Sequence, residues 1–188
     1  MRAHSDKITV DELQQLVCRA QSGDADAWEA LYRLAYPALL GYARRRSARR
    51  DEADDAVSET FARAYGRIGG FHWEGAGFNS WLFGILRNVL LEAHRRDRRN
   101  DRRLMHSTDN DEDLLHDLLL GEEFGAVRAA FACLSAEDRE VLELRVVGGL
   151  AADEVAAVLG KRAGAVRMAQ SRALSRLRME LAKGGDNG

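Results

Sequence analysis

Apolar residues recur at helical spacing along most of the chain, and nowhere do they alternate with polar ones over a strand's length. Leu13, Leu16, Val17 and Ala20 share one face of a first segment that Gly23 closes. Trp28, Leu31, Leu34 and Ala35 form a stripe on a second, which Pro37 is expected to bend or break. A third, DEADDAVSETFARAYGRI, stops at Gly69 and Gly70. A loop rich in glycine and aromatics, FHWEGAGFN, leads into a fourth, SWLFGILRNVLLEAHRR. There Phe78, Trp81, Leu82, Ile85 and Val89 are spaced as a core stripe, which assigns Trp81 to packing.

The pattern then lapses. Asp109, Asp111, Glu112, Asp113 and Asp117 follow without an intervening Lys or Arg, so residues 101–121 read as a flexible acidic linker. Periodicity returns past Gly121 in EEFGAVRAAFACL, SAEDREVLELRVVGG, LAADEVAAVLG and GKRAGAVRMAQSRALSRL. Ser135 with Asp138 resembles a capping box opening one of these helices. The prediction is an all-α protein of two small helical domains, residues 10–100 and 122–183, the second containing a helix-turn-helix.

That helix-turn-helix carries the most specific local chemistry. Val155, Ala156, Val158 and Leu159 would face inward on its first helix, and small Ala152 and Ala156 would let a second helix cross closely. Gly160 suits a left-handed C-cap. Val166, Ala169 or Gln170, Ala173, Leu174 and Leu177 would line the buried side of the second helix. Arg167, Met168, Ser171, Arg172 and Ser175 are left outside. An arginine fork suits a guanine edge, a hydroxyl a base or phosphate, and a thioether a thymine methyl. Lys161, Arg162, Arg176 and Arg178 would take phosphates. A plain helical hairpin with a solvated basic face has the same pattern.

Total charge changes this picture only slightly. At −2 the chain is no general polyanion binder, but its charge is segregated. Arg95, Arg96, Arg98, Arg99, Arg102 and Arg103 form a basic string, the acidic joint follows, and the basic helix lies beyond. Phe71, His72 and Trp73 in the preceding loop would offer π faces to melted DNA, with that string as its cations; Phe71 and Trp73 fit core packing equally, and the string fits a solvated helix end. Cys18 and Cys133 lack a pairing pattern and the histidines lack ligand spacing, so no metal, no cofactor and reduced thiols in a cytoplasmic protein are expected. No apolar run nears the roughly 20 residues of a membrane span, and the N-terminus lacks a signal peptide's apolar core. No nucleophile-and-base set or phosphate loop appears, so no catalytic residue is expected.

Taken in order, DEADDAVSETFARAYGRI, FNSWLFGILRNVLLEAHRR, LSAEDREVLELRVVGGL and LAADEVAAVLGKRAGAVRMAQSRAL resemble bacterial RNA polymerase sigma factors of the extracytoplasmic-function group of the sigma-70 family. The resemblance spans about residues 10–180. It implies that residues 10–100 are region two, which binds the β′ clamp of core polymerase and opens the minus-ten element. Residues 122–183 would be region four, which binds the β flap and the minus-thirty-five element. It places Asp54, Asp55, Ser58, Glu59 and Phe61 on the clamp-binding helix, with Ser58 where the family usually has glutamine. It assigns Asn88 to the promoter-reading helix. Phe71, His72, Trp73 and Asn79 fall in the loop that captures an unstacked base, near Arg95 and Arg96. Arg167, Met168, Ser171 and Arg172 match the minus-thirty-five reading positions, with Lys161, Arg162 and Arg176 around them. The implied partners are core polymerase, promoter DNA and an anti-sigma factor that silences a protein monomeric when free. The alternative is a helix-turn-helix regulator that is no polymerase subunit, but its front half should be an α/β receiver or ligand-binding domain, and no strand alternation is present.

Overall fold

The computed structural model describes residues 8–73, 75–101 and 122–185, and every regular element among them is helical. The linker acids Asp109, Asp111, Glu112, Asp113 and Asp117, with Arg102 and Arg103, lie outside the described residues, as do the side chains of Arg98 and Arg99.

The first helix, α1 (Val10–Gln21), starts at a capping box: Glu12 N–H donates to Thr9 Oγ1 (3.2 Å) and Thr9 N–H to Glu12 Oε2 (2.7 Å). Asp24 caps α2 (Ala25–Arg44) by accepting from Ala27 N–H at 3.0 Å. This helix runs unbroken through Pro37. Pro37 faces solvent, where water can satisfy the carbonyl it strands, while Leu31 and Leu39 on either side are fully buried. Each such leucine contributes on the order of 1.5–3 kcal/mol, which together offset the roughly 3 kcal/mol cost of an interior proline. The buried stripe is Ala27, Leu31, Ala35, Leu39 and Tyr42, and Leu34 falls outside it, 48% exposed.

Helix α3 (Arg50–Arg67) packs on α2, and a 3-10 turn (Ile68–Gly70) leads to α4 (Gly77–Asp101), which packs on α3. The second block holds α5 (Glu122–Ala132), α6 (Ala136–Leu142), a π-helical turn (Glu143–Val147), α7 (Ala152–Leu159) and α8 (Ala163–Gly185). Ser135 caps α6 as expected, accepting from Asp138 N–H at 3.1 Å. Helices α5, α6 and α7 all pack on α8.

The two blocks share one large buried cluster, while a smaller one of Leu134, Leu142 and Ala173 belongs to the second block alone. Helix α4 packs against α7, and α2 against the π turn. Val141, Leu144, Leu150, Val155, Ala156, Val166 and Ala169 join one buried cluster with Leu31, Leu39, Tyr42, Phe83 and Leu86. A domain of about 60 residues buries a smaller share of its surface than a larger one, so pooling the apolar faces is favourable.

Candidate nucleic-acid interface

The turn between α7 and α8 is built by Gly160, whose φ of 64° and ψ of 35° are left-handed. Lys161 N–H donates to Ala156 O at 2.8 Å, so the turn closes the end of α7. Val155, Ala156, Val166, Ala169 and Ala173 are buried. Gln170 and Leu177 are half-buried, but Leu174 lies at the stripe's edge, 37% exposed rather than inside it. Arg145 braces α8 from its inner side: Nε donates to Gln170 Oε1 at 3.0 Å, and the guanidinium also donates to the Leu150 carbonyl.

The outer face of α8 holds the expected set. Arg167, Met168, Ser171, Arg172, Ser175 and Arg176 are exposed, as is Arg162. Lys161 is half-buried and meets Glu137 at 2.5 Å, a hydrogen bond that holds the Glu137 carboxyl below its ordinary range. Arg172 lies 3.6 Å from Asp138. The first turn of α6 thus supplies acids that hold two of the cations at this face.

In the first block, Gln21 pins the aromatic loop by donating to the carbonyls of Ile68 (3.0 Å) and Phe71 (2.6 Å). Phe71 packs against Trp81, Phe78 and Trp73, with ring centroids 5.0, 5.8 and 6.1 Å away. Trp81 is a packing residue, and Phe71 and Trp73 are half-buried in the same cluster. His72 is exposed in the loop, whereas Asn79, expected in that loop, is exposed in the first turn of α4, because the helix starts at Gly77.

Asn88 is exposed on α4 beside Arg95, and with Arg63, Arg67 and Glu92 it lines a cavity of about 170 Å³. Arg63 spans the two helices, donating to both Glu92 oxygens (2.8 and 3.2 Å) and to Glu59 (2.7 Å). Glu92 and Glu59 hold its charge firmly, raising its pKa still further, while Arg63 lowers that of Glu92. Three guanidiniums and an amide around one carboxylate suit a phosphate strand and a base edge. The sequence reading missed Arg63 and Arg67. Their signal was the four-residue spacing Glu59, Arg63, Arg67, which puts all three on one face of α3.

Asp54, Asp55, Ser58 and Glu59 are exposed on α3. Asp54 is 3.9 Å from Arg44, and the Ser58 hydroxyl donates back to the Asp54 carbonyl at 2.9 Å. Phe61 is different: it is buried, its ring 4.4 Å from that of Tyr32 and 6.4 Å from that of Trp28. It secures α3 on α2 and presents no ring to a partner. Tyr65, on the same stripe as Asp54 and Ser58, is the exposed aromatic there.

Residues 31–100 match sigma-70 region 2, and residues 124–177 match sigma-70 region 4. Over 94% of its length the chain is 31% identical to the ECF RNA polymerase sigma factor SigD of Mycobacterium tuberculosis, covering 87% of that protein. It belongs to the extracytoplasmic-function RNA polymerase sigma factors. It is also 31% identical, over 88% of its length, to the ECF sigma factor BldN of Streptomyces coelicolor, of which it spans 64%. Among solved structures, this sigma factor is similar to CnrH in complex with the cytosolic domain of CnrY, at 26% identity with a TM-score of 0.67, covering 90% of this chain and 97% of that one. It is similarly close to the sigma factor RpoE in complex with the anti-sigma factor NepR from Bartonella quintana, at 26% identity and a TM-score of 0.62, with 82% and 96% covered. The region 2 match contains α3, the aromatic loop and the Asn88 cavity; the region 4 match contains the braced helix-turn-helix. No described helix of the sigma factor is long and apolar enough to cross a membrane.

Proposed function

We propose that this sigma factor gives core RNA polymerase its promoter specificity through two reading surfaces, one in each block. Arg167, Met168, Ser171 and Arg172 read the minus-thirty-five element from the outer face of α8, with Arg162, Lys161 and Arg176 on phosphates. Asn88, His72 and Asn79 act at the minus-ten element, with Arg95, Arg96, Arg63 and Arg67 on the strand. The exposed acids Asp54, Asp55 and Glu59 meet the polymerase clamp, and residues 122–183 also dock on the flap. The observation that carries this reading is the pairing, in one chain, of a braced helix-turn-helix with an arginine-lined cavity at Asn88. Either surface alone suits a simple DNA-binding regulator; the two together suit a subunit that reads two elements and opens one. The protein performs no chemistry of its own and works in the cytoplasm, where promoters are. A small silencing protein holds it inactive, as the complexes of CnrH with CnrY and RpoE with NepR suggest.

The test is transcription in vitro with core polymerase over a genomic library. Start sites that appear only when the chain is added support the proposal. DNA binding without polymerase-dependent initiation would overturn it in favour of a helix-turn-helix regulator.

A further inference from the structure

The aromatic loop is held from a helix that lies outside the region 2 match. That match begins at residue 31, and α1 ends at Gln21. The half-buried Gln21 amide nitrogen donates to two main-chain carbonyls, Ile68 O at 3.0 Å and Phe71 O at 2.6 Å. Both partners are acceptors, so only the nitrogen can face them, and chemistry fixes the orientation of the amide. Ile68 O also accepts from Phe71 N–H at 3.0 Å. The side chain thus closes a turn that the main chain has begun.

That side chain leaves from a braced corner. Gly23, with a φ of 88°, turns the chain from α1 into α2. Arg19 ties the two helix ends together, its Nε donating to Asp24 Oδ2 at 2.8 Å. The Ser22 hydroxyl donates back to Cys18 O at 3.1 Å. A donor fixed in this way can hold a distant loop to one shape.

The loop needs such support. Residues 68–77 read IGGFHWEGAG, and their four glycines make the segment costly to order. A site that receives an extruded base holds it more tightly when its shape exists beforehand than when it must order on binding. At the far end of the loop, the Ser80 hydroxyl donates to Ala76 O at 2.7 Å and to Gly77 O at 2.9 Å. Trp73 lies against Gly77, where a Cβ would come within 3.4 Å of the indole. At the near end the pin is Gln21. Phe71 O belongs to the planar peptide that joins Phe71 to His72, so a bond to that oxygen fixes where the exposed His72 begins.

We propose that Gln21 is a positioning residue for base capture at the minus-ten element: its two hydrogen bonds set the Phe71–His72 peptide, and with it the aromatic loop, in a receptive shape before DNA arrives. The proposal rests on the reading of that loop as the place where an unstacked base is held. It extends the promoter-opening apparatus to α1.

Hydrogen exchange on the full free chain reads the pin directly. The Phe71 amide should exchange about tenfold faster in Gln21→Met, which keeps the length of the side chain and loses both bonds. Base capture is read with holoenzyme and non-template-strand oligonucleotides of a minus-ten element mapped by the transcription experiment, each carrying one abasic site. In the wild type one position should show a penalty of about tenfold or more, the worth of one captured base. Gln21→Met should shrink that penalty to about two- or threefold. A merely structural residue would weaken every oligonucleotide alike and leave the penalty unchanged. Gln21→Glu, which sets an acceptor against the two carbonyls, takes the place of Gln21→Met if the latter loses helix content by circular dichroism. Unchanged exchange at Phe71, or a full abasic penalty in a folded variant, overturns the proposal. If the wild type supports no initiation with core polymerase, the functional reading fails and base capture with it, while the exchange rates still report whether Gln21 holds the loop.

Discussion

Asp138 holds Oδ1 3.6 Å from Nη2 of Arg172, an exposed arginine on the outer face of α8. The carboxylate is almost wholly buried, and that oxygen accepts no hydrogen bond among the described residues. Its loose pairing with Arg172 keeps the guanidinium over the reading face. Arg172→Ala should therefore cost about 1–3 kcal/mol at the minus-thirty-five element and relax preference at one base. Arg178→Ala should weaken all sequences alike. Fluorescence anisotropy against single-base promoter variants checks both, and unchanged affinity of Arg172→Ala at moderate salt would place the reading face elsewhere.

Asp55 and Glu59 stand one helical turn apart on the exposed face of α3. Glu59 is already engaged by Arg63, whereas the Asp55 carboxylate has no ion pair among the described residues. Asp55→Lys should reduce core polymerase binding with little change in melting temperature, because exposed charges contribute about 1 kcal/mol or less to stability. The double variant with Glu59→Lys should lose more, since it also releases Arg63. Holoenzyme assembly at wild-type affinity by the double variant would remove α3 from the polymerase interface.

Glu143 titrates in the opposite sense to the surface acids. Burial raises its pKa against the pull of Arg46 and Arg45, with Glu140 adding to the rise. Tyr42 and Arg87, both on Glu140, complete the charged and titratable groups around it. A raised folded value means that the folded chain holds this proton more tightly than the unfolded one. Its stabilisation is fully present below the unfolded value, about 4.3, and is lost as pH rises through the folded value. Glu143→Gln should remove this loss, so the variant should match the wild type near pH 4 and equal or exceed it at pH 7. Urea unfolding at the two pH values checks the sign. A variant clearly weaker at pH 7 would mean that the Arg46 pair, not burial, dominates at this site.

The helix-turn-helix was legible because its information is local. Gly160 needs its left-handed turn, and Val155, Ala156, Val166 and Ala169 announce their faces by spacing. Leu34 and Leu174 were misjudged for one reason: each sits where periodicity cannot tell the edge of a stripe from its centre. Phe61 has the spacing of α3's outer face, yet Tyr32 and Trp28 of α2 cover it. The Asn88 cavity needs arginines from two helices, of which only α4 was read. The polar contacts between the blocks, Arg46 to Glu143 and both Arg87 and Tyr42 to Glu140, were invisible because the partners lie 53 to 98 residues apart, with charges that looked solvated in each segment.

Asn88 joins the arginines of that cavity from the exposed side of α4, and no hydrogen bond among the described residues uses its amide. An amide that both donates and accepts fits a base edge at a fork in the duplex. Asn88→Ala should leave folding and polymerase binding intact and lower the permanganate reactivity of thymines in the melted segment. Arg67→Ala should weaken opening less selectively, as loss of a phosphate contact would. Full reactivity with Asn88→Ala would restrict the residue to a structural role.

Cutting the chain between its blocks separates connectivity from packing. Val141, Leu144, Leu150 and Val155 share a buried cluster with Leu39, Phe83 and Leu86, so the second block has apolar surface to lose if it leaves the first. Exposing one such Leu or Val costs on the order of 1.5–3 kcal/mol, and several would be uncovered together. Against this stands the freedom gained by two independent fragments, several kcal/mol at ordinary concentrations. The balance favours association at micromolar concentration. A chain carrying a specific protease site between residues 102 and 121, once cleaved, should still elute as a single complex on size exclusion. Dilution should separate it into two fragments, and Glu140→Lys with Glu143→Lys should separate it without dilution. Immediate separation of the cleaved wild type into two folded helical fragments would mean that the linker, and not the shared core, keeps the blocks together.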